Sequence, residues 1–242
     1  MRMSTARGVK DFWPEKVNGL KTLRAKWPPF GLIIMLIFGC SAAWAAGGHS
    51  PLIHVTGNLL PPTYHHEYST EQIEAMSGLR APSRAAQEPG LTLFEYEISS
   101  QYEMTELGPN FNGPLRVWAK SIDVKFSVTR MEVYVSSKYP RGSCQYETVL
   151  AHENTHVAIN ERVFKKYKAL LIRALKMDRN LPTHDHPMRV SSEQEAEEVL
   201  DRNLKGILNP LEASFQAEDR RENAKIDTPA SYARTQAKCR DW

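Results

Sequence analysis

The sequence predicts an α+β protein: a small antiparallel sheet followed by a long helix pair. Three observations carry that expectation. Short runs between residues 91 and 137 alternate apolar and polar side chains and are bounded by Gly-Pro turns. From Cys144 the apolar period becomes helical and holds for roughly thirty residues. A second helical stripe follows a breaker-rich loop and carries Leu200, Leu204, Ile207, Leu211 and Phe215.

The elements follow in chain order. Residues 1–29 are basic, with a net charge of +5, and lead into the apolar run Phe30–Gly39 and the small residues of Ser41–Ala46. A basic start, a short apolar core and an A-x-A site make residues 1–45 a secretory signal peptide, cleaved after Ala45. The alternatives are an uncleaved N-terminal anchor and lipidation at Cys40; all three take the body out of the cytoplasm. Residues 46–90 are rich in Gly, Pro, Ser and His and read as a poorly ordered lead-in with one short helix near Thr70–Met76. Strands are expected at Leu91–Ser99, in Leu115–Val128 and at Met131–Ser136. In the first long helix, Val149, His152, His156, Ile159, Val163, Tyr167, Leu170 and Ala174 share a face. Asn180–Pro187 breaks the pattern, Ser191-Ser-Glu-Gln-Glu caps the second helix, and Pro210 is expected to kink it. Asp227-Thr-Pro caps a last short helix that ends near Cys239.

Composition excludes several classes. The chain has 242 residues, 31 Lys+Arg, 28 Asp+Glu and 41% hydrophobic residues, too ordinary for a wholly disordered protein. It has one uncharged apolar stretch, so it is not a polytopic membrane protein. The total charge is +3, so the basic leader leaves net −2 for the rest, and no electrostatic case for nucleic-acid binding remains. With the leader removed, Cys144 and Cys239 are an even pair in an oxidising compartment, where a single disulfide is the natural outcome.

One motif carries chemistry. His152-Glu153-Asn154-Thr155-His156 reads H-E-x-x-H inside the first long helix. Residues i and i+4 project from one face, so two imidazoles can reach a single Zn²⁺ at about 2.0–2.1 Å. Glu153 sits one residue round, placed to take a proton from a water whose pKa the ion has lowered towards about 7. His152 and His156 also share the apolar stripe, which argues against two merely solvated histidines. The metzincin extension is missing, because Ile159 and Arg162 stand where its Gly and third His belong.

The third ligand must therefore come from elsewhere. If the two long helices form a tight antiparallel hairpin, His152 faces a position near residue 218. Glu218 is the expected third ligand, with Glu222, Asp219 and Glu212 as alternatives. Glu193, Glu195, Glu197 and Glu198 suit a helix N-terminus without any metal. His184-Asp185-His186 is a weaker metal candidate, Asp227 reads as a helix cap, and Tyr232 or Arg234 is a candidate oxyanion stabiliser.

Over residues 91–239 the chain resembles a group of bacterial exported proteins of unknown function that are predicted to be zinc-dependent proteases. The likeness runs through strands between Tyr96 and Trp118, a polar segment ending at Cys144, and Thr148-Val-Leu-Ala-His-Glu-Asn-Thr-His. The helix pair and Asp227-Thr-Pro-Ala-Ser-Tyr232…Cys239 complete it. The resemblance implies a zincin-like domain over 91–242, with His152, Glu153 and His156 in the roles just given. The leading expectation is an exported zinc metallopeptidase, periplasmic or extracellular, acting on a protein or peptide substrate. The alternative is a non-catalytic cell-envelope binding or assembly protein with a structural or vestigial zinc site. A membrane is involved only through an uncleaved leader or lipidated Cys40.

Overall fold

The computed structural model describes residues 50–77, 89–107 and 113–242. The leader with its cleavage site, the anchor and lipid alternatives at Cys40, and the Gly108-Pro109 turn lie outside the described residues.

The architecture is α+β, with a five-stranded sheet and four helices. Its spine is a long antiparallel hairpin of β3 (Gly90–Leu107) and β4 (Leu115–Val135), in register from Gly90↔Val135 to Leu107↔Arg116. Along the opposite edge of β4 lie three short strands. They are β1 (Leu52–Thr56), β2 (Thr63–His65) and β5 (Met188–Val190). The first two run parallel to β4 and the third antiparallel. The sheet is therefore mixed rather than purely antiparallel. The lead-in supplies two of its strands, and α1 (Thr70–Ser77) forms where the short helix was expected. Gly- and Pro-rich composition concealed β1 and β2, since strands this short are fixed by their partner rather than by their own pattern.

Two register shifts explain how so long a hairpin keeps one dry face. Each leaves an extra residue on β4: Thr129 opposite the Glu95/Tyr96 step and Lys120 opposite Glu103/Met104. Each therefore flips the alternation. Most buried residues of β4 accordingly change parity twice: Val117 and Ala119, then Ile122, Val124, Phe126 and Val128, then Met131, Val133 and Val135; Ser127 and Tyr134 are buried with the opposite parity. Without the bulges, half of these side chains would point to the wrong side.

Against that face pack α2 (Cys144–Met177) and α3 (Glu193–Ala224). Val157, Val163, Phe164, Leu171 and Leu175 of α2 meet Leu200, Leu204, Leu208 and Phe215 of α3 and the sheet in one core. Ser143 caps α2 by accepting from the Tyr146 amide, and Ser192 caps α3 by accepting from the Glu195 amide. Glu195 in turn accepts from the Ser191 amide at 2.7 Å. α3 runs through Pro210 without ending there. α4 (Pro229–Gln236) is capped by Thr228, starts on a proline, and packs on α2. The expected disulfide is present and ties Cys144, the first residue of α2, to Cys239 just beyond α4. Among the described residues no helix is long and apolar enough to cross a membrane.

Candidate metal centre

H-E-x-x-H lies on the third and fourth turns of α2, where its face meets the start of β3 and the end of α3. His152 Nε2 and His156 Nε2 stand 3.2 Å apart. A carboxylate oxygen closes the triangle: Asp227 Oδ1 is 3.3 Å from His152 Nε2 and 3.1 Å from His156 Nε2. Among the described residues this trio is the one group of three potential ligand side chains gathered closely enough to hold an ion.

These distances can be tested against a metal. Three donors on a tetrahedral ion with bonds of about 2.0–2.1 Å stand about 3.3–3.4 Å from one another. The observed triangle is within a few tenths of that. Hydrogen bonding alone fits less well. His156 Nδ1 donates to Asn223 Oδ1 at 2.9 Å, and the Asn223 amide is oriented by its Nδ2 donating to the Asp219 carbonyl, also at 2.9 Å. In neutral His156 the Nε2 atom then carries a lone pair aimed at the Asp227 carboxylate. That arrangement calls for a cation between them, either a proton or a metal ion. Burial lowers the His156 pKa, but the hydrogen bond with Asp227 and the nearby Glu153 and Asp227 charges outweigh it and push the pKa up. Burial likewise opposes ionisation of Asp227, yet hydrogen bonds from His152, His156 and Tyr232 hold its carboxyl well below the usual range. The pocket is built to keep Asp227 charged.

Glu153 faces the same space from the sheet side and is 2% exposed. Its Oε2 accepts from Thr92 Oγ1 at 2.8 Å. Burial raises its pKa against the opposing pull of His156, His152 and the Thr92 hydroxyl. Gly90 makes room for it: a Cβ there would lie 2.6 Å from Glu153 Oε1. Behind His156, Asn160, Asp219 and Asn223 form a buried polar layer between α2 and α3. Burial lifts the Asp219 pKa to about 6, with the His156 charge opposing.

Glu218, the expected third ligand, is not in this group. Its carboxylate accepts from Lys166 Nζ and Tyr167 Oη, about three turns down α2 from His156. The hairpin register is the reason. The helices are not flush at their connected ends: Asn203 of α3 donates to the carbonyl of Asn180, so the first turns of α3 project past the end of α2. Everything after is displaced by two to three turns, which brings Asn223 opposite His156 and Asp227 opposite both histidines. Among the alternatives, Glu222 pairs with Lys225 and Arg221, and Glu212 accepts from Tyr96. Asp219 is buried behind His156 rather than beside the histidine Nε2 atoms.

Asp227 is not the helix cap expected from the sequence. Thr228 does the capping, accepting from the Ser231 amide at 3.1 Å, which leaves the preceding carboxylate free to turn inward. The signal was present in the sequence, because Thr-Pro is itself a sufficient helix start. Tyr232 donates to Asp227 Oδ1 at 2.7 Å and its ring lies 5.4 Å from that of His152, whereas Arg234 is exposed. His184, Asp185 and His186 are exposed at the other end of the molecule and gather no donor set.

Fold and site together define an α+β protein with a buried His-His-Asp group able to hold a metal ion. Comparison with protein-family models, with characterised proteins and with solved structures finds no match for the chain.

Proposed function

We propose that the chain is an exported zinc metallopeptidase of zincin-like fold, with His152, His156 and Asp227 holding Zn²⁺ and Glu153 as general base. One observation carries the reading: a donor triangle of tetrahedral dimensions beside a buried carboxylate that is not itself part of it. Two nitrogens and one oxygen are a donor set that zinc accepts in catalytic sites. When bound, the ion supplies Lewis acidity to a water and to a substrate carbonyl. The chain's own residues do the rest. Asn223 fixes the His156 tautomer, so that the Nε2 lone pair faces the site. Thr92 aims the Glu153 carboxylate, and burial makes that carboxylate a stronger proton acceptor than an exposed glutamate. The Cys144–Cys239 disulfide is compatible with export to an oxidising compartment.

The test pairs metal analysis with hydrolysis. Protein purified without added zinc should contain one zinc per chain, both as wild type and as Glu153→Gln. Wild type should cleave members of an unstructured peptide library, and Glu153→Gln should lose that activity by at least a hundredfold. Hydrolysis retained by Glu153→Gln refutes the mechanism. Zinc retained without hydrolysis by wild type makes the ion structural.

A further inference from the structure

Asp227 lies at a boundary in the chain. Just before it, Ile226 packs on the core two residues beyond the end of α3. Just after it comes α4, none of whose eight residues is buried. A helix so short is marginal by itself, and a segment that buries no apolar side chain opens easily. The links that fasten it to α2 gather beyond its far end. The disulfide joins Cys239 to Cys144, the first residue of α2. The Gln145 side chain donates to the Asp241 carbonyl, Thr148 Oγ1 lies 3.5 Å from Cys239 Sγ, and the Trp242 and Tyr139 rings stand 5.7 Å apart.

What α4 carries bears directly on the donor triangle. Tyr232 donates to Asp227 Oδ1 at 2.7 Å, and that same oxygen faces the Nε2 atoms of both histidines. The third donor is therefore held on one side by Ile226 and on the other by α4. The bond that secures α4 is itself within reach of solvent: Cys144 is exposed and Cys239 half-buried. A thiolate can attack it without the core opening.

We infer that the Cys144–Cys239 bond is a redox latch on the metal centre: oxidised, it keeps Asp227 and Tyr232 in the donor set; reduced, it lets α4 come away and loosens the third donor. The inference rests on the metal reading of the His-His-Asp group and adds its regulation. The chemistry is exchange with a dithiol. One thiolate of the dithiol attacks a cysteine sulfur and breaks the S–S bond, and the second resolves the mixed disulfide. The protein takes up two electrons and two protons, and the reductant leaves as a disulfide. Ile226 keeps Asp227 near the histidines, so reduction weakens the centre without abolishing it. Zinc then binds only when α4 redocks unaided, and the apparent Kd rises by the inverse of the docked fraction. Losing an outer partner such as Tyr232 costs about ten- to a hundredfold in metal affinity, which is the size expected here. The coupling is reciprocal, so zinc must favour the disulfide by the same factor. At about 30 mV per tenfold, its reduction potential should fall by about 30–60 mV when zinc is bound.

The test measures zinc affinity by chelator competition on three forms of the protein, with far-UV circular dichroism on each. They are the oxidised protein, the protein reduced with a phosphine and blocked with iodoacetamide, and Cys144→Ser/Cys239→Ser. Affinity should fall about ten- to a hundredfold in the second and third while the helical signal is kept. In a dithiol redox buffer, the midpoint for reducing the wild-type bond should move by the amount given above when zinc is added. In Asp227→Ala, zinc should bind more weakly from the outset and equally in both redox states, because the latch acts through Asp227. Equal affinity in the oxidised and blocked wild type, or an unmoved midpoint, overturns the latch and leaves the metal centre standing. So does a redox dependence that persists in Asp227→Ala. Zinc lost only together with the helical signal also overturns it, since the bond then holds the fold rather than the site. Oxidised protein that binds no zinc overturns the metal reading, and the latch with it.

Discussion

Gly90 is the position where backbone packing and chemistry meet most closely. A methyl group there would lie 2.6 Å from Glu153 Oε1 and from Val149 Cγ1, and 2.9 Å from Glu153 Cγ. Ordinary non-bonded contacts lie at about 3.5–4.0 Å, so roughly 1 Å of relief is needed. The strand cannot easily give it, because Gly90 is paired to Val135 at the end of the β3–β4 ladder. Nor has α2 much freedom, since Val149 and Glu153 are each 2% exposed. Overpacking of this kind costs about 1–3 kcal/mol. For a domain of this size, that means a Tm lower by about 2–12 °C. The strain falls on the Glu153 side chain and shifts it off Thr92, so Gly90→Ala should also lose turnover by about a hundredfold, as a 1 Å misplacement of a reacting group does. Zinc content should stay at the wild-type level, because the added methyl's nearest neighbours are Glu153 and Val149 rather than the histidines. Thermal denaturation, metal analysis and kcat/KM on one preparation read all three. A Gly90→Ala protein with wild-type Tm and turnover refutes the packing argument.

Three other outcomes are expected. Asn223→Ala removes the acceptor that holds His156 Nδ1–H and should weaken zinc about ten- to a hundredfold in a competitive chelator titration, whereas equal affinity would show that the buried amide does not set the tautomer. Asp219 has its pKa raised from the ordinary 3.8 to about 6, so its neutral form suits the fold. Its contribution is fully present below pH 4 and is lost as the pH rises through 6, about 3 kcal/mol in all. Asp219→Asn should therefore gain up to that amount over wild type at pH 8 and almost nothing at pH 4 in urea denaturation of metal-free protein; a difference independent of pH contradicts it. Replacing Cys144 and Cys239 by serine opens a loop of 95 residues and should cost about 2–4 kcal/mol, read from the shift of the urea midpoint.

How much of this was legible in the chain depends on distance along it. Features set by near neighbours were readable: the helical face of H-E-x-x-H, the Ser192 cap with Glu195, the Pro229 start of α4, and α1 at Thr70–Ser77. Features set by remote partners were not. β1 and β2 are three to five residues long and exist because β4 offers a free edge. The seam of α2 also drifted from the expected stripe: Leu170 is 37% exposed, while Leu171 and Leu175 are buried. A helix of 34 residues does not keep a fixed set of positions facing one neighbour. The third donor was missed for the same kind of reason. Its position depends on how far α3 overshoots α2, which the loop at residues 178–192 decides, and no local pattern in that loop records the offset.

The order in which the donors arrive along the chain has a consequence for biogenesis. His152 and His156 sit side by side on one helix, but Asp227 comes only after all of α3. Until that helix has folded back, the two imidazoles lack both the carboxylate and the Asn223 amide. A chain still being synthesised therefore carries an incomplete donor set. The cysteine that fastens the last segment lies later still, at position 239. The donor set is therefore complete only after α3 and the segment beyond it are in place.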